Sequence, residues 1–442
     1  MSRKNKDRRL GSEQRKVTFS LFTAHCSLFT VHSSLFTVYC SLLCILSVCA
    51  VNRDAFAADW SFTPSVSLSQ SYDSNFRFIE TPVPGTTKGD FVTSLTPVLS
   101  VSGETEQTKF QFDTTTNAQS YIENPKFDII NENATASLTE LWSQRFSTSV
   151  NFGLIHDSTL NEQLEASGII TQWAERYVYT LGLGAKYDLS ESLSLAVSGL
   201  AADTIFPSGT SPNSDLYQGT ITPTWAVTPK DNVGLSTNFS DTDYTTTTSA
   251  ATTIKSITES LFWQRQMSDT LRFKLSGGYY FSMIDFTVPA IEFIRIPPFL
   301  KLVNLPETAT DGGLVYSADI TKDWTERLST TFSAGKQQYN DVNAQSFDST
   351  YVSGTVSYKL SERTTFNFMA RYNTNDQLSP GNSTIDYYIL SPSIETSLTE
   401  NLLVRLSGSY EYETETPGNV NLDRYRTWVD LTYKWPRFFA SH

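Results

Sequence analysis

From Leu402 to Tyr412 the chain alternates strictly. Leu402, Val404, Leu406, Gly408, Tyr410 and Tyr412 fall on one side of an extended backbone, and Leu403, Arg405, Ser407, Ser409 and Glu411 on the other. A period of two with one apolar and one mostly polar face is a β-strand between two environments. The pattern recurs in Leu271–Phe281 and in Tyr177–Asp188. Residues 58–442 hold no apolar run of helical-span length and little 3.6-residue periodicity. A chain built this way must pair its strands with one another.

The connections between these strands fall into two classes. One is short and polar: Ser143-Gln144-Arg145, Ser190-Glu191-Ser192, Ser268-Asp269-Thr270, Thr325-Glu326-Arg327, Ser361-Glu362-Arg363 and Thr399-Glu400-Asn401, with Gly103 to Glu106 and Pro229 to Asn232 as variants. The other class is longer: Phe78–Lys88, Thr159–Gln172, Pro207–Ser214, Thr287–Thr308 and Gln377–Ser383. Tight turns at one end, long loops at the other and alternating strands of about 10 residues or more between them are the signature of an outer-membrane barrel. A soluble sandwich also alternates, but it rarely keeps one polarity of turn length along the whole chain.

Strand starts are expected near Trp60, Asp90, Gln107, Phe127, Phe146, Arg176, Leu193, Leu216, Val233, Thr253, Leu271, Ala309, Leu328, Phe347, Thr364, Thr384, Leu402 and Asp423. The expected fold is therefore an all-β transmembrane antiparallel barrel of about 18 strands, with 16 as the alternative count, short periplasmic turns and longer extracellular loops. Inside the strands Thr63-Pro64, Thr96-Pro97, Thr222-Pro223 and Ser391-Pro392 recur. A mid-strand proline removes a ladder donor, which predicts a bulge at each.

Residues 1–57 read differently. Basic residues 1–19, an apolar run from Ser34 to Val51 and the small-x-small Ala55-Phe56-Ala57 have the order of a secretory signal peptide. Val48 before Cys49 is bulky where lipoprotein signals carry a small residue. The segment contains a seven-residue repeat beginning at Ser20, Ser27 and Ser34, which with cleavage expected says more about the DNA than about metal chemistry. All four cysteines lie here, so residues 58–442 contain no thiol, disulfide or Cys-based metal site. That remainder, the expected barrel, carries 25 basic and 43 acidic residues, a net of −18 that excludes nucleic acid as a natural partner.

The alternation places Lys186, Asp188, Arg272, Lys274, Lys359, Arg371, Arg405, Glu411, Arg424, Arg426, Asp430 and Lys434 on the inward face. These are the pore-lining candidates. Barrels of about 16 to 18 strands leave an aqueous channel unless plugged. A salt-bridged lumen that conducts little is the competing reading. Thr287–Thr308 is unusually apolar, and Ile291, Phe293, Arg295 and Phe299 are its constriction candidates if it folds into the lumen; otherwise it forms a hairpin around Pro297-Pro298. Acidic residues near the loop side (Asp157, Asp203, Asp215, Asp241, Asp243, Asp376, Glu411, Glu413 and Glu415 among them) predict a negative mouth and a weak cation preference.

Val429, Leu431, Tyr433 and Trp435 give the last strand an outward apolar face, which resembles the recognition signal read by the barrel-assembly machinery. Here Pro436 to His442 follow, where many such proteins end on the aromatic itself. The Leu398-Thr399-Glu400 and Leu360-Ser361-Glu362 turns, the Thr-Pro or Ser-Pro strand motif and the closing Leu431-Thr432-Tyr433-Lys434-Trp435 resemble the β-barrel family found with bacterial exopolysaccharide and exosortase (PEP-CTERM) loci. The resemblance implies an outer-membrane protein linked to polysaccharide export or surface assembly, with lipids and export components as partners. It supplies no catalytic residues.

No phosphate-binding glycine loop or His-Glu-x-x-His motif occurs in residues 58–442, whose histidines are His156 and His442. No cofactor or metal is expected, and no enzyme. One constellation is worth weighing: His156 and Ser158 share the outward face with Val150, Phe152 and Leu154. A His-x-Ser pair on the lipid side resembles outer-membrane phospholipases and lipid A deacylases, where the imidazole deprotonates the serine. The plainer reading is a headgroup-level histidine beside a loop serine. Three function classes follow: a channel, a structural or surface-binding barrel, and a lipid hydrolase.

Overall fold

The computed structural model describes residues 59–82, 84–158, 174–209, 211–245, 251–295, 298–378, 383–418 and 420–440, with only the backbone of 251, 288–295, 298–306, 439 and 440. The signal segment with its heptapeptide repeat, the loop Thr159–Gln172 and His442 lie outside the described residues. The first nine strands are β1 (Asp59–Asp73), β2 (Asp90–Glu104), β3 (Thr108–Tyr121), β4 (Ile129–Ser143), β5 (Phe146–Ser158), β6 (Glu175–Asp188), β7 (Leu193–Ile205), β8 (Asn213–Thr228) and β9 (Asp231–Thr245). The next nine are β10 (Ala251–Ser268), β11 (Leu271–Arg295), β12 (Pro298–Asp323), β13 (Leu328–Asn340), β14 (Ser346–Lys359), β15 (Thr364–Gln377), β16 (Thr384–Ser397), β17 (Leu402–Thr416) and β18 (Val420–Lys434). A three-residue β19 (Phe438–Ala440) also pairs with β1.

Each strand pairs with its neighbours in sequence, and β18 pairs with β1 from Ser65↔Lys434 to Asp73↔Arg426. The 18-strand sheet therefore closes on itself. Closure leaves no edge, which is what a sheet in hydrocarbon requires, because an unpaired N–H has no water to turn to. The expected strand starts match within a few residues except at β12, which begins at Pro298 rather than near Ala309.

The sheet is apolar outside and polar inside. On β17 Leu406 and Tyr410 are exposed while Ser407, Ser409, Glu411 and Glu413 are buried. Exposed tryptophans mark the tight-turn end: Trp142, Trp225, Trp263, Trp324 and Trp435. Trp142 and Trp324 each donate their indole N–H to a threonine of the following strand, Thr148 and Thr330, at 2.9 Å. At the loop end tyrosines take over, as in the Tyr372–Tyr388–Tyr412 row with ring centroids 4.6 and 6.3 Å apart. Two aromatic belts around an apolar band mark a membrane-spanning barrel of the bacterial outer membrane.

All eight tight turns begin with a Ser or Thr: Thr105, Ser143, Ser190, Thr228, Ser268, Thr325, Ser361 and Thr399. In each, that hydroxyl accepts a hydrogen bond from the backbone N–H two residues on, at 3.2 to 3.3 Å. This is the side-chain mimic of a backbone turn, and it explains the Ser/Thr-led motif of the sequence.

The bulges expected at Pro97, Pro223 and Pro392 are not there. Around Pro97, Pro223 and Pro392 the ladder to the following strand skips two residues and resumes in the same register. The missing N–H costs a bridge but inserts no residue, because the fixed φ of proline still suits an extended strand. True register shifts sit beside tight turns, at Leu141/Ser143, Ala226/Thr228 and Gln266/Ser268.

Candidate functional site

Four consecutive strands, β7 to β10, turn mostly Ser, Thr, Asn and Gln, with a few apolar residues such as Leu216 and Ile254, to the lumen and carry no charge on that face. Cross-strand bonds such as Asn238–Thr220 (2.9 Å) and Ser240–Ser256 (2.7 Å) hold the wall together. Phe262 and Tyr244 are the aromatic members of this face; Phe262 covers Gly234, where a Cβ would overlap the ring. The charges of these strands point outward. Asp203, Asp215 and Asp243 form one cross-strand row on the outer face, so they do not line the mouth as the sequence reading placed them.

The opposite side is built from charge. Arg424 (2% exposed) grips Asp73 of β1 through Nε at 3.0 Å and lies 3.5 Å from Glu411, which is fully buried. Arg426 reaches the same Glu411 at 2.6 Å, and Ser409 completes the cluster at 3.1 Å. Arg405 is bonded to Glu395 at 2.9 Å. Arg371 bonds Asn373 at 2.8 Å and lies over the Tyr351 ring. Three of these four inward arginines, Arg405, Arg424 and Arg426, are therefore already held by protein carboxylates.

The remaining lumen-face candidates lie toward the turn end. Lys186 pairs with Asp188 at 3.3 Å, Arg272 with Asp323 at 3.9 Å, and Lys274 stands over the Phe262 ring. Lys359 ends β14, while Asp430 and Lys434 lie opposite Ser69 and Ser65 of β1. Val429, Leu431, Tyr433 and Trp435 are exposed on the outer face.

Thr287–Thr308 is not a loop. Its backbone continues β11 and β12 as one ladder to Arg295↔Pro298, the hairpin alternative. Side chains of Ile291, Phe293, Arg295 and Phe299 lie outside the described residues. The segment that crosses the lumen is a different one. The β12–β13 ladder stops at Tyr316↔Lys336, while β13–β14 runs on to Asn340↔Ser346. Above that level the β13–β14 tip leaves the wall and reaches across to β9, β10 and β11. The Tyr244 hydroxyl donates to the Asp341 carbonyl (3.2 Å) and the Tyr280 hydroxyl to Asp348 (2.6 Å), which also holds Lys336 at 2.6 Å. Ala344, at φ 62°, packs against Tyr244, Ile254 and Ile284. Asp341 organises the turn by accepting from the Asn343 and Gln345 amides at 2.9 and 2.7 Å. Burial pushes its carboxyl above the usual range, and those hydrogen bonds pull it back only in part.

The tip divides the mouth. Toward β6–β11 lies a cavity of about 820 Å³ lined by hydroxyls and amides, where Arg176 and Lys336 are paired with Asp157 and Asp348. Toward β15–β18 lies a second, of about 580 Å³, lined by Glu413, Glu415 and apolar side chains. The loop after β1 adds a further cover: Phe78, fully buried at φ 51°, packs on Tyr387, Ile389 and Leu422, and Asn75 ties the loop to Ile79 and to the Asp423 carbonyl. Sequence reasoning missed the tip. Its residues, Asn340 to Ser346, form a short, mostly polar stretch without glycine, in which Val342 and Ala344 are too few to give an apolar pattern.

His156 sits on the outer face, stacked on Tyr177 at 4.4 Å. Nε2 lies 2.7 Å from Glu175 and Nδ1 3.9 Å from Glu132, and no hydrogen bond joins it to Ser158. Both ring nitrogens face carboxylates, so neither is placed to take a serine proton.

No family model and no characterised protein matches the sequence. Solved structures do resemble it in fold. Pseudomonas aeruginosa OpdQ aligns at 9% identity over 85% of this chain and 98% of its own, with a TM-score of 0.46. The siderophore receptor PirA from Acinetobacter baumannii aligns at 11% identity over 85% of this chain and 80% of its own, with a TM-score of 0.44. The copper transporter OprC gives 11% identity over 81% of this chain and 64% of its own, with a TM-score of 0.46.

Proposed function

We propose that this barrel is a porin-like channel that passes uncharged hydrophilic solutes, saccharides of surface polymers in particular. The observation that carries the reading is the uncharged wall of β7–β10 facing a cavity of about 820 Å³. Hydroxyls and amides exchange hydrogen bonds with a sugar or with water at little net cost. The motifs that resemble exopolysaccharide-associated barrels support the same solute class, with export components as partners and the closing strand as the segment offered to the barrel-assembly machinery. Liposome swelling with a neutral disaccharide against a uronic acid disaccharide of equal size, alongside planar-bilayer recording, tests it. The neutral sugar enters faster; equal rates, or faster entry of the acid, sink the solute class.

A second reading, a structural or surface-binding barrel without transport, is favoured by the two inward segments, the β13–β14 tip and the Phe78 loop. A silent bilayer record that stays silent after removal of residues 341–345 supports it over the channel. No catalytic role falls to His156 or Ser158 in either reading.

A further inference from the structure

Glu411 and Glu413 stand two residues apart on the same face of β17. Both are buried, at 0% and 4% exposure. Glu411 is held by two arginines. Glu413 Oε2 makes no hydrogen bond, and among the described residues no cation pairs with it. A buried carboxylate oxygen without a partner needs a reason, because such groups are otherwise satisfied by protein, water or a bound ion.

Its surroundings supply one. Glu413 lines the cavity of about 580 Å³ beside the β13–β14 tip, with Glu415 and Asp341 as further carboxylates. The rest of the wall includes Phe347, Ile385 and Leu422, all nearly fully buried. Carboxylates reject an anion. A hard divalent metal wants six or more oxygen ligands, which this apolar wall lacks, and among the described residues no group of three His, Cys, Asp or Glu side chains could hold a metal ion. An ammonium group carrying an apolar substituent satisfies both halves of the wall at once. We propose that this cavity binds an organic cation of that class, with Glu413 as its counter-ion and Phe347, Ile385 and Leu422 against the apolar part.

The site does not depend on conduction, so it is tested on the folded protein in detergent micelles by titration calorimetry. The probes are phenethylammonium chloride and the neutral 2-phenylethanol. Phenethylammonium is expected to bind saturably and the alcohol about tenfold more weakly or worse. Glu413→Gln, its fold checked by heat-modifiable gel migration, should weaken ammonium binding about ten- to hundredfold, the range of a lost hydrogen bond to a charged group. Phe347→Ala should weaken both probes. If Glu413→Gln does not fold, the ammonium-to-alcohol ratio on the unaltered protein decides. No saturable ammonium binding, equal affinity for both probes, or unchanged affinity in folded Glu413→Gln overturns the proposal, and a failure here leaves the swelling experiment untouched.

Discussion

The two sides of the lumen solve one problem in opposite ways. β7–β10 meet the interior with neutral hydroxyls and amides that bond to one another or to water. β15–β18 and β1 meet it with charges, and the buried cluster of Arg424, Arg426, Glu411 and Asp73 holds each member by an opposite charge at a fixed place. A neutral wall tolerates exchange of its members because every partner is replaceable by water. A charged wall does not, since removing one partner strands the other in a medium that cannot solvate it. The difference teaches where this barrel is rigid and where it can adapt to a solute.

The sharpest break of that contrast is Glu411→Ala, which leaves Arg424 and Arg426 without their shared carboxylate. It should destabilise the barrel by about 3–5 kcal/mol, read as a shift in the urea unfolding midpoint of the refolded protein. Next is Asp348→Ala, which frees both Lys336 and Tyr280 and unpins the tip from β11. A loss of about 1–3 kcal/mol is expected, with higher single-channel conductance because the crossing segment swings free. Unchanged conductance would mean that the tip does not limit passage.

Ser260→Asp places a charge on the neutral wall. Its expected stability cost is only about 0.5 kcal/mol, yet it should move the reversal potential in a KCl gradient toward cation selectivity; a cost like that of Glu411→Ala would erase the contrast between the walls. The smallest effect is the pH response of Asp341→Asn. Because burial raises the Asp341 carboxyl, its protonated form favours the folded tip. That stabilisation is full below the ordinary carboxylate value of about 4 and is lost as pH rises through the raised one. The stability of the unaltered protein relative to Asp341→Asn should therefore be greater at pH 4 than at pH 7.5. A flat difference, or the opposite sign, would mean that hydrogen bonding outweighs burial at this carboxyl.

Strand count, closure order and facing were legible in the sequence because lipid outside and water inside impose alternation on every strand. Leu406 and Tyr410 can only face out, Ser407 and Ser409 only in. What fills the lumen was not legible, because no such rule acts there. The pairing of Arg424 with Asp73 joins residues at opposite ends of the barrel sequence. The inward turn of the β13–β14 tip rests on Tyr244 and Tyr280, which in sequence are two tyrosines among many. Thr287–Thr308 left a constriction and a hairpin both open, because apolarity does not say whether a backbone turns inward or extends an existing ladder, as it does here. Glu413 was read as one of several mouth acids, and burial without a paired cation among the described residues separates it from the rest.

The hydroxyl that opens every tight turn has a consequence for how such a barrel changes over generations. Each hairpin carries its own closing device, so a hairpin can be duplicated or lost as a unit without new turn chemistry. The circumference can then grow or shrink by two strands at a time, while the seam between β1 and β18, whose Arg424–Asp73 grip belongs to no hairpin, is the part that must be kept.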